Sequence, residues 1–384
     1  VRALELESAH RFEPFPLSGE EQTSERSAGQ LLQEAEECRA RLSQLREQQG
    51  GQAVNRLENQ LQLIQGRIFL FQGETERAVS LLGGLSGSAD ERDAAPMVQA
   101  CYLLASSAIF RQEPELAERY TATGARLLSR GRDAAAYARF QRLRGSCFCL
   151  RGEYDKAEYY PHEALETLEK LPQTPGVRVQ LAAVWCDTGR IRRQKSDFAQ
   201  ACSCYKRALA LLADGAWPGK AWICVHYGRT AFLLEDHELA RQLFRQGWDH
   251  ARHTGELWGR AAAAAYTAYY QAQDDDWEGC AASLDDAVES QKKLASPLEG
   301  IILNFAQMHI RLRLELEQMK DPVLEKLLPY SPESYARQGV RSLPGVPDVY
   351  EATLLADSLR SNISSRQRYR ASELYSKNKH FMAE

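Results

Sequence analysis

"RGEYDKAEYYPHEAL", residues 151–165, sets a short polar turn ahead of a helix-forming run in which Ala157 and Ala164 flank Tyr160. The same arrangement returns in "QGETERAVSLL" (72–82), "QEPELAERYTA" (112–122), "KSDFAQACSCYKRALALL" (195–212), "EDHELARQLFRQG" (235–247) and "DDDWEGCAASLDDAV" (274–288). Aligned on the small residue after the turn, Ala78, Ala117, Ala157, Ala201, Ala240 and Cys280 stand 39, 40, 44, 39 and 40 residues apart. A chain that repeats itself at this period is a solenoid or an array, so the repeat decides the fold.

Two further columns keep the same register. Twelve residues before each anchor stand Gly66, Ala105, Gly145, Gly189, Gly228 and Ala268, and seven after it Leu85, Gly124, Ala164, Ala208, Gly247 and Ala287. Small residues at fixed offsets on both sides of a turn mark two helices that cross closely. Tyr154, Phe198 and Trp277, three before the anchor, and Tyr205 and Phe244, four after it, supply the bulk between them. One such hairpin cannot bury both of its faces, so successive hairpins must stack. Composition agrees: alanine, leucine, glutamate, glutamine and arginine dominate, residues that lose little rotamer freedom in a helix. The expected fold is all-α, a right-handed α-solenoid of helix-turn-helix hairpins.

The pattern resembles the tetratricopeptide repeat family, whose units carry small residues near positions 8, 20 and 27. "RGSCFCLRGEYDKAEYYPHEAL", with Gly145, Gly152, Tyr154, Ala157, Tyr160 and Ala164, matches it best. The period near 40 exceeds the family's usual 34, and "PQTPG" (172–176) accounts for the 44-residue interval. Long-period repeats of this kind are similar to the sensor region of the maltotriose-responsive activator and related signal-transduction ATPases with numerous domains, and to the helical scaffolds of the cohesin-loader type. The resemblance implies a sensor region whose occupancy alters the activity of an attached ATPase or DNA-binding domain; with no catalytic motif in view, the chain is expected to be a non-enzymatic recognition module in a larger regulatory protein. The alternative it leaves open is a pure scaffold that wraps an extended segment of a partner.

Three segments are expected: an N-terminal linker and helical extension over 1–54, a superhelix of about six repeats over 55–296, and a partial repeat with a helical cap over 297–384. Within the first, 26–49 reads as a helix with Leu31, Leu32, Leu42 and Leu45 on one side. Within the last, 298–318 reads as an amphipathic helix, prolines 322, 329, 332, 344 and 347 break the chain, and 348–361 and 364–381 read as the capping helices. The chain opens on Val1 and closes on "KNKHFMAE" without a turn or cap, as a segment of a longer polypeptide would.

With 48 basic and 52 acidic residues the net charge is −4, so no global field draws the chain to nucleic acid or anionic membrane. Nine cysteines, an odd number set mostly in apolar helical pattern, read as reduced core thiols of a cytoplasmic protein. No membrane-length apolar run is present. Cys147/Cys149 and Cys202/Cys204 are two apart, about 200° around a helix, and cannot chelate one ion. His250 and His253 read as solvated surface, and "DDDWEG" (274–279) as a turn whose aspartate caps the next helix. No phosphate loop, nucleophile elbow or zinc-protease motif occurs, so neither cofactor nor metal nor catalytic residue is expected.

The first helices of stacked hairpins line the concave face, and counting back 8, 11, 15 and 18 residues from the anchors finds the groove positions. These include Arg139, Arg142, Arg190, Arg193, Trp222, Arg229 and Phe232 in the third to fifth units, Gln99 and Tyr102 in the second, and Tyr269 in the sixth. Guanidinium groups from three successive repeats, interleaved with aromatics, suit a protein or peptide partner with acidic groups, or a small acidic or sugar-like ligand. The competing reading pairs these arginines with glutamates of neighbouring helices and leaves them no ligand.

Overall fold

A polar turn of only a few residues reverses the chain after each long helix, and the reversal is written into the sequence at one position. In a computed structural model of the chain, Gly152, Ser196, Glu235 and Asp275, each five residues before its anchor, have left-handed backbones with φ of 76°, 62°, 60° and 61°. The aspartate that follows the last three then caps the next helix. Asp197 accepts from the Gln200 amide (3.3 Å), Asp236 from Leu239 (3.1 Å) and Asp276 from Gly279 (2.9 Å). "DDDWEG" is thus a turn and cap, as its composition indicates.

The structure describes residues 28–49, 52–71, 74–86, 94–110, 113–129, 133–213, 215, 217, 219–257 and 259–294, with 300, 302, 303, 306, 307 and 310 beyond them. These residues form thirteen named helices: α1 (Ala28–Gln49), α2 (Gln52–Phe71), α3 (Thr75–Ser86), α4 (Ala94–Phe110), α5 (Pro114–Ser129), α6 (Ala134–Leu150), α7 (Tyr154–Glu169), α8 (Pro175–Gln194), α9 (Phe198–Leu211), α10 (Lys220–Leu233), α11 (His237–Thr254), α12 (Arg260–Gln273) and α13 (Trp277–Leu294). From α2 onward they pair as hairpins, α2 with α3 through to α12 with α13. Each hairpin packs on the next, and the first helix of each also meets the first helix of its successor. The fold is an all-α solenoid of stacked hairpins of the TPR-like kind.

The small columns are where the helices cross. All six anchors are fully buried, each at 0% exposure. A Cβ placed on Gly189 would stand 2.6 Å from the Tyr205 ring, and one on Gly228 would stand 2.7 Å from that of Phe244. Both contacts are too close to exist, so with these rings in place only hydrogen fits at the crossing. The knob is in each case the bulky residue four after the anchor, set into the notch twelve before it.

Pro175 opens α8 with Thr174 as its cap, so the long interval at "PQTPG" is a connector that restarts the helix cleanly. Within α1, Leu31 and Leu42 are buried and Leu32 packs on the same cluster, against Leu61, Ile64 and Ile68 of α2. Leu257, from the connection before α12, joins that cluster and sets the N-terminal pair against a much later part of the chain. Ile302, Leu303, Ala306 and Ile310 are helical and buried against the Trp277, Leu284 and Val288 core. The linker before residue 28 and the breaks and capping helices expected after 318 lie outside the described residues.

Candidate functional site

Helices α4, α6, α8, α10 and α12 are first helices of successive hairpins, and their buried polar side chains meet on one face of the stack. Every groove position counted from the anchors and named above as a site residue is described. Tyr102, Arg139, Arg142, Arg193, Trp222, Arg229, Phe232 and Tyr269 are all buried, with exposures between 2% and 8%. Arg190 is partly buried, its side chain 25% exposed.

Geometry joins these residues in three groups. In the first, the Arg139 guanidinium lies 3.5 Å over the centre of the Tyr102 ring, and Arg142 donates through Nη2 to the Tyr102 hydroxyl (3.1 Å). Arg142 Nη1 also donates to Asp187 Oδ2 (2.7 Å), while Arg190 Nη1 donates to Asp187 Oδ1 (2.8 Å). One buried carboxylate thus bridges guanidiniums of α6 and α8. Burial opposes the charge on Arg142, but Tyr102 and Asp187 outweigh it and hold the group more firmly protonated than usual.

The second group centres on His226 of α10, which is 1% exposed. Trp222, one turn earlier, meets its ring edge to face at 4.6 Å between centroids, and the Tyr205 ring of α9 lies nearly parallel to it at 6.4 Å. Burial drives the His226 pKa well below its ordinary value, and the charges of Arg190, Arg193 and Arg229 push the same way. The imidazole is therefore neutral at physiological pH. Among the described residues neither of its ring nitrogens has a hydrogen-bond partner, and neither do Nε and Nη1 of Arg193, a residue 3% exposed. Buried polar atoms are nearly always hydrogen-bonded, so four orphans on two adjacent helices stand out.

The third group is aromatic. Phe232 of α10 meets Tyr269 of α12 edge to face at 6.4 Å, and Tyr269 meets Tyr270 at 5.1 Å. Residues from five consecutive inner helices are therefore ordered along one wall, cationic over α6 to α10 and aromatic toward α12.

Two members were not among the positions counted from the sequence: Asp187 and His226. Both stand fourteen residues before their anchors, at 201 and 240, in the column beside the one that holds Arg142. A count at that offset finds Leu103, Leu143 and Tyr266 in other units, so the column does not advertise itself as polar.

Arginine–glutamate pairs also occur outside the groove positions: Arg192 meets Glu158 (2.8 Å) and Arg151 meets Glu118 (2.6 Å), both pairs partly exposed. His250 departs from its reading as solvated surface. Its Nε2 approaches the Trp217 carbonyl (3.0 Å) and its side chain is 11% exposed, because the connections before α10 and α12 fold over it. His253 is exposed.

Cys101 and Cys147 have pKa values raised by burial to about 11, and Cys224 and Cys280 to about 12, as core thiols do. Among the described residues no three His, Cys, Asp or Glu side chains converge as a metal site would need, and no helix is long and apolar enough to cross a membrane.

No protein-family model matches the chain, and no curated protein matches it. Solved structures do. A Rap protein complexed with competence and sporulation factor shares 12% identity over 92% of this chain and 95% of its own, with a TM-score of 0.53. The Rap conjugation gene regulator of the plasmid pLS20, in complex with the Phr* peptide, shares 12% over 92% and 96%, with a TM-score of 0.51. A signal-transduction ATPase with a tetratricopeptide repeat sensor from Pyrococcus horikoshii shares 16% over 73% of this chain, with a TM-score of 0.47. This chain spans 43% of that ATPase's length. At such identities the likeness to the two Rap proteins is one of fold, and it agrees with the stacked hairpins seen here.

Proposed function

We propose that this chain is a non-enzymatic recognition module whose inner wall binds an acidic segment of a protein or peptide, or a small acidic or sugar-like ligand. The observation that carries this reading is the surplus of buried hydrogen-bond donors on that wall, above all the two unpartnered nitrogens of Arg193. Burying a cation without partners costs several kcal/mol, a cost that an anionic ligand would offset. The neighbouring Arg190 is partly exposed and gives such a ligand an approach. Of two solved proteins of the same fold, one is in complex with the Phr* peptide and the other with competence and sporulation factor, which supports a peptide-like occupant.

On this reading residues 55–296 form the recognition array, 1–54 extend it and 297–384 cap it, the whole serving as the sensor region of a larger regulatory protein. The burial of the arginines favours an enclosed site over the open groove of a pure scaffold. The test is fluorescence anisotropy with a panel of labelled acidic peptides, together with thermal shifts against acidic metabolites and oligosaccharides. A specific binder should weaken at least tenfold in Arg190→Ala and in Arg193→Gln, and its affinity should fall with salt. Binding that neither substitution alters would overturn the assignment of this wall, and a panel without any binder would move the balance to the scaffold.

A further inference from the structure

The wall is not uniform. Asp187 already serves Arg142 and Arg190, whereas Arg193 and His226 hold four buried nitrogens that no described residue serves. Both side chains are more than nine-tenths buried, and they sit on α8 and α10, which pack together. We propose that Arg193 and His226 form one oxyanion subsite, taking a carboxylate, sulfate or phosphate group, and that His226 takes up a proton from water as the anion binds. The inference rests on the reading of the wall as an anion-binding surface and adds a chemical class, a place and a pH dependence to it.

The charge arithmetic explains why a proton should follow the anion. The charges acting on His226 among the described residues are Arg190 and Arg193 from α8 and Arg229 from its own helix. Tyr205 of α9 and Trp222 cover the ring without charge, and α11 and α12, which also pack on α10, add no charge to that set. In such company a further cation is unfavourable, and the ring stays neutral. An oxyanion between Arg193 and the imidazole reverses the sign of the local field, and protonation turns the ring's acceptor nitrogen into a donor. Neutral imidazole offers an anion one N–H, while imidazolium offers two. Binding coupled to uptake of one proton strengthens as pH falls, by at most about tenfold per pH unit.

Sulfate is a suitable probe, because it does not itself titrate between pH 5 and 8. The full chain, labelled with 13C at histidine Cε1, would be titrated by NMR in sodium sulfate and in sodium chloride of equal ionic strength. His226 is identified by the resonance that His226→Gln lacks. We expect the His226 midpoint to rise by at least one pH unit in sulfate, and sulfate affinity to increase several-fold on going from pH 7.5 to 5.5. Both effects should vanish in Arg193→Gln. Arg193→Lys keeps the charge and should retain part of the rise, which guards against a variant that fails to fold. If acidic peptides bind through Arg190 while sulfate leaves the His226 midpoint in place, the subsite is wrong and the recognition wall stands. If neither sulfate nor acidic peptides bind at any pH, both readings fall together.

Discussion

His226 shows how much a single side chain can reveal about its surroundings. It is enclosed by rings, faces three guanidiniums and finds no hydrogen bond among the described residues, so the folded protein resists its protonation. The unfolded chain does not, and takes up the proton near the ordinary value of 6.5. Below that pH the unfolded state therefore binds more protons, and stability falls as pH falls. The loss attributable to this residue should approach about 1.4 kcal/mol per pH unit, down to the depressed folded-state value. Urea denaturation at pH 7.5, 6.5, 5.5 and 5.0 should show a flatter profile for His226→Gln than for the wild type; parallel profiles would mean that the ring is not excluded from water as described. Asp187 is its counterpart, a buried carboxylate whose two oxygens are both engaged by guanidiniums.

At the scale of the element, the hairpin is held by a notch and a knob. Gly228 accepts the Phe244 ring, and a methyl group there would have to displace a side chain that is fully buried. Gly228→Ala should therefore destabilise the protein by about 1–3 kcal/mol, although alanine is the better helix former. The double variant with Phe244→Leu should lose less than the sum of the two single changes, because the smaller knob tolerates the filled notch. Strict additivity in a double-mutant cycle would show that the two residues do not meet. A second clasp ties one hairpin to the next. Asp286 of α13 accepts from Arg260 of α12 at 2.5 and 3.1 Å and from the Trp248 indole of α11 at 2.6 Å, so one carboxylate spans three helices.

For the whole molecule, stacking means that each hairpin is supported by its neighbours more than by any common centre. Damage should spread along the stack and fade with distance. In Gly228→Ala, amide hydrogen exchange should accelerate most in α10 and α11, next in α8, α9, α12 and α13, and least in α4 and α5. Uniform acceleration in all helices would show instead that the array unfolds as one cooperative unit. The wall of arginines belongs to this scale as well, since no one hairpin holds it. Arg142 comes from α6, Arg190 and Arg193 from α8 and Arg229 from α10.

The spacing of small residues was enough to establish the hairpins and their stacking, because crossing helices demand small residues at fixed offsets whatever else surrounds them. The inward placement of Arg139, Arg142, Arg193 and Arg229 follows from the same count. Asp187 and His226 did not follow, because their column holds leucine or tyrosine in other units, and the rotation of each inner helix decides whether that column meets the wall. The burial of His250 likewise came from connections folding over a helix face that periodicity alone reads as exposed. Local geometry repeats and is legible one unit at a time, whereas charge compensation depends on which side chains from different hairpins arrive at the same place. Only the tertiary structure could show that Asp187 serves two arginines and that, among the described residues, Nε and Nη1 of Arg193 and both His226 ring nitrogens find no partner.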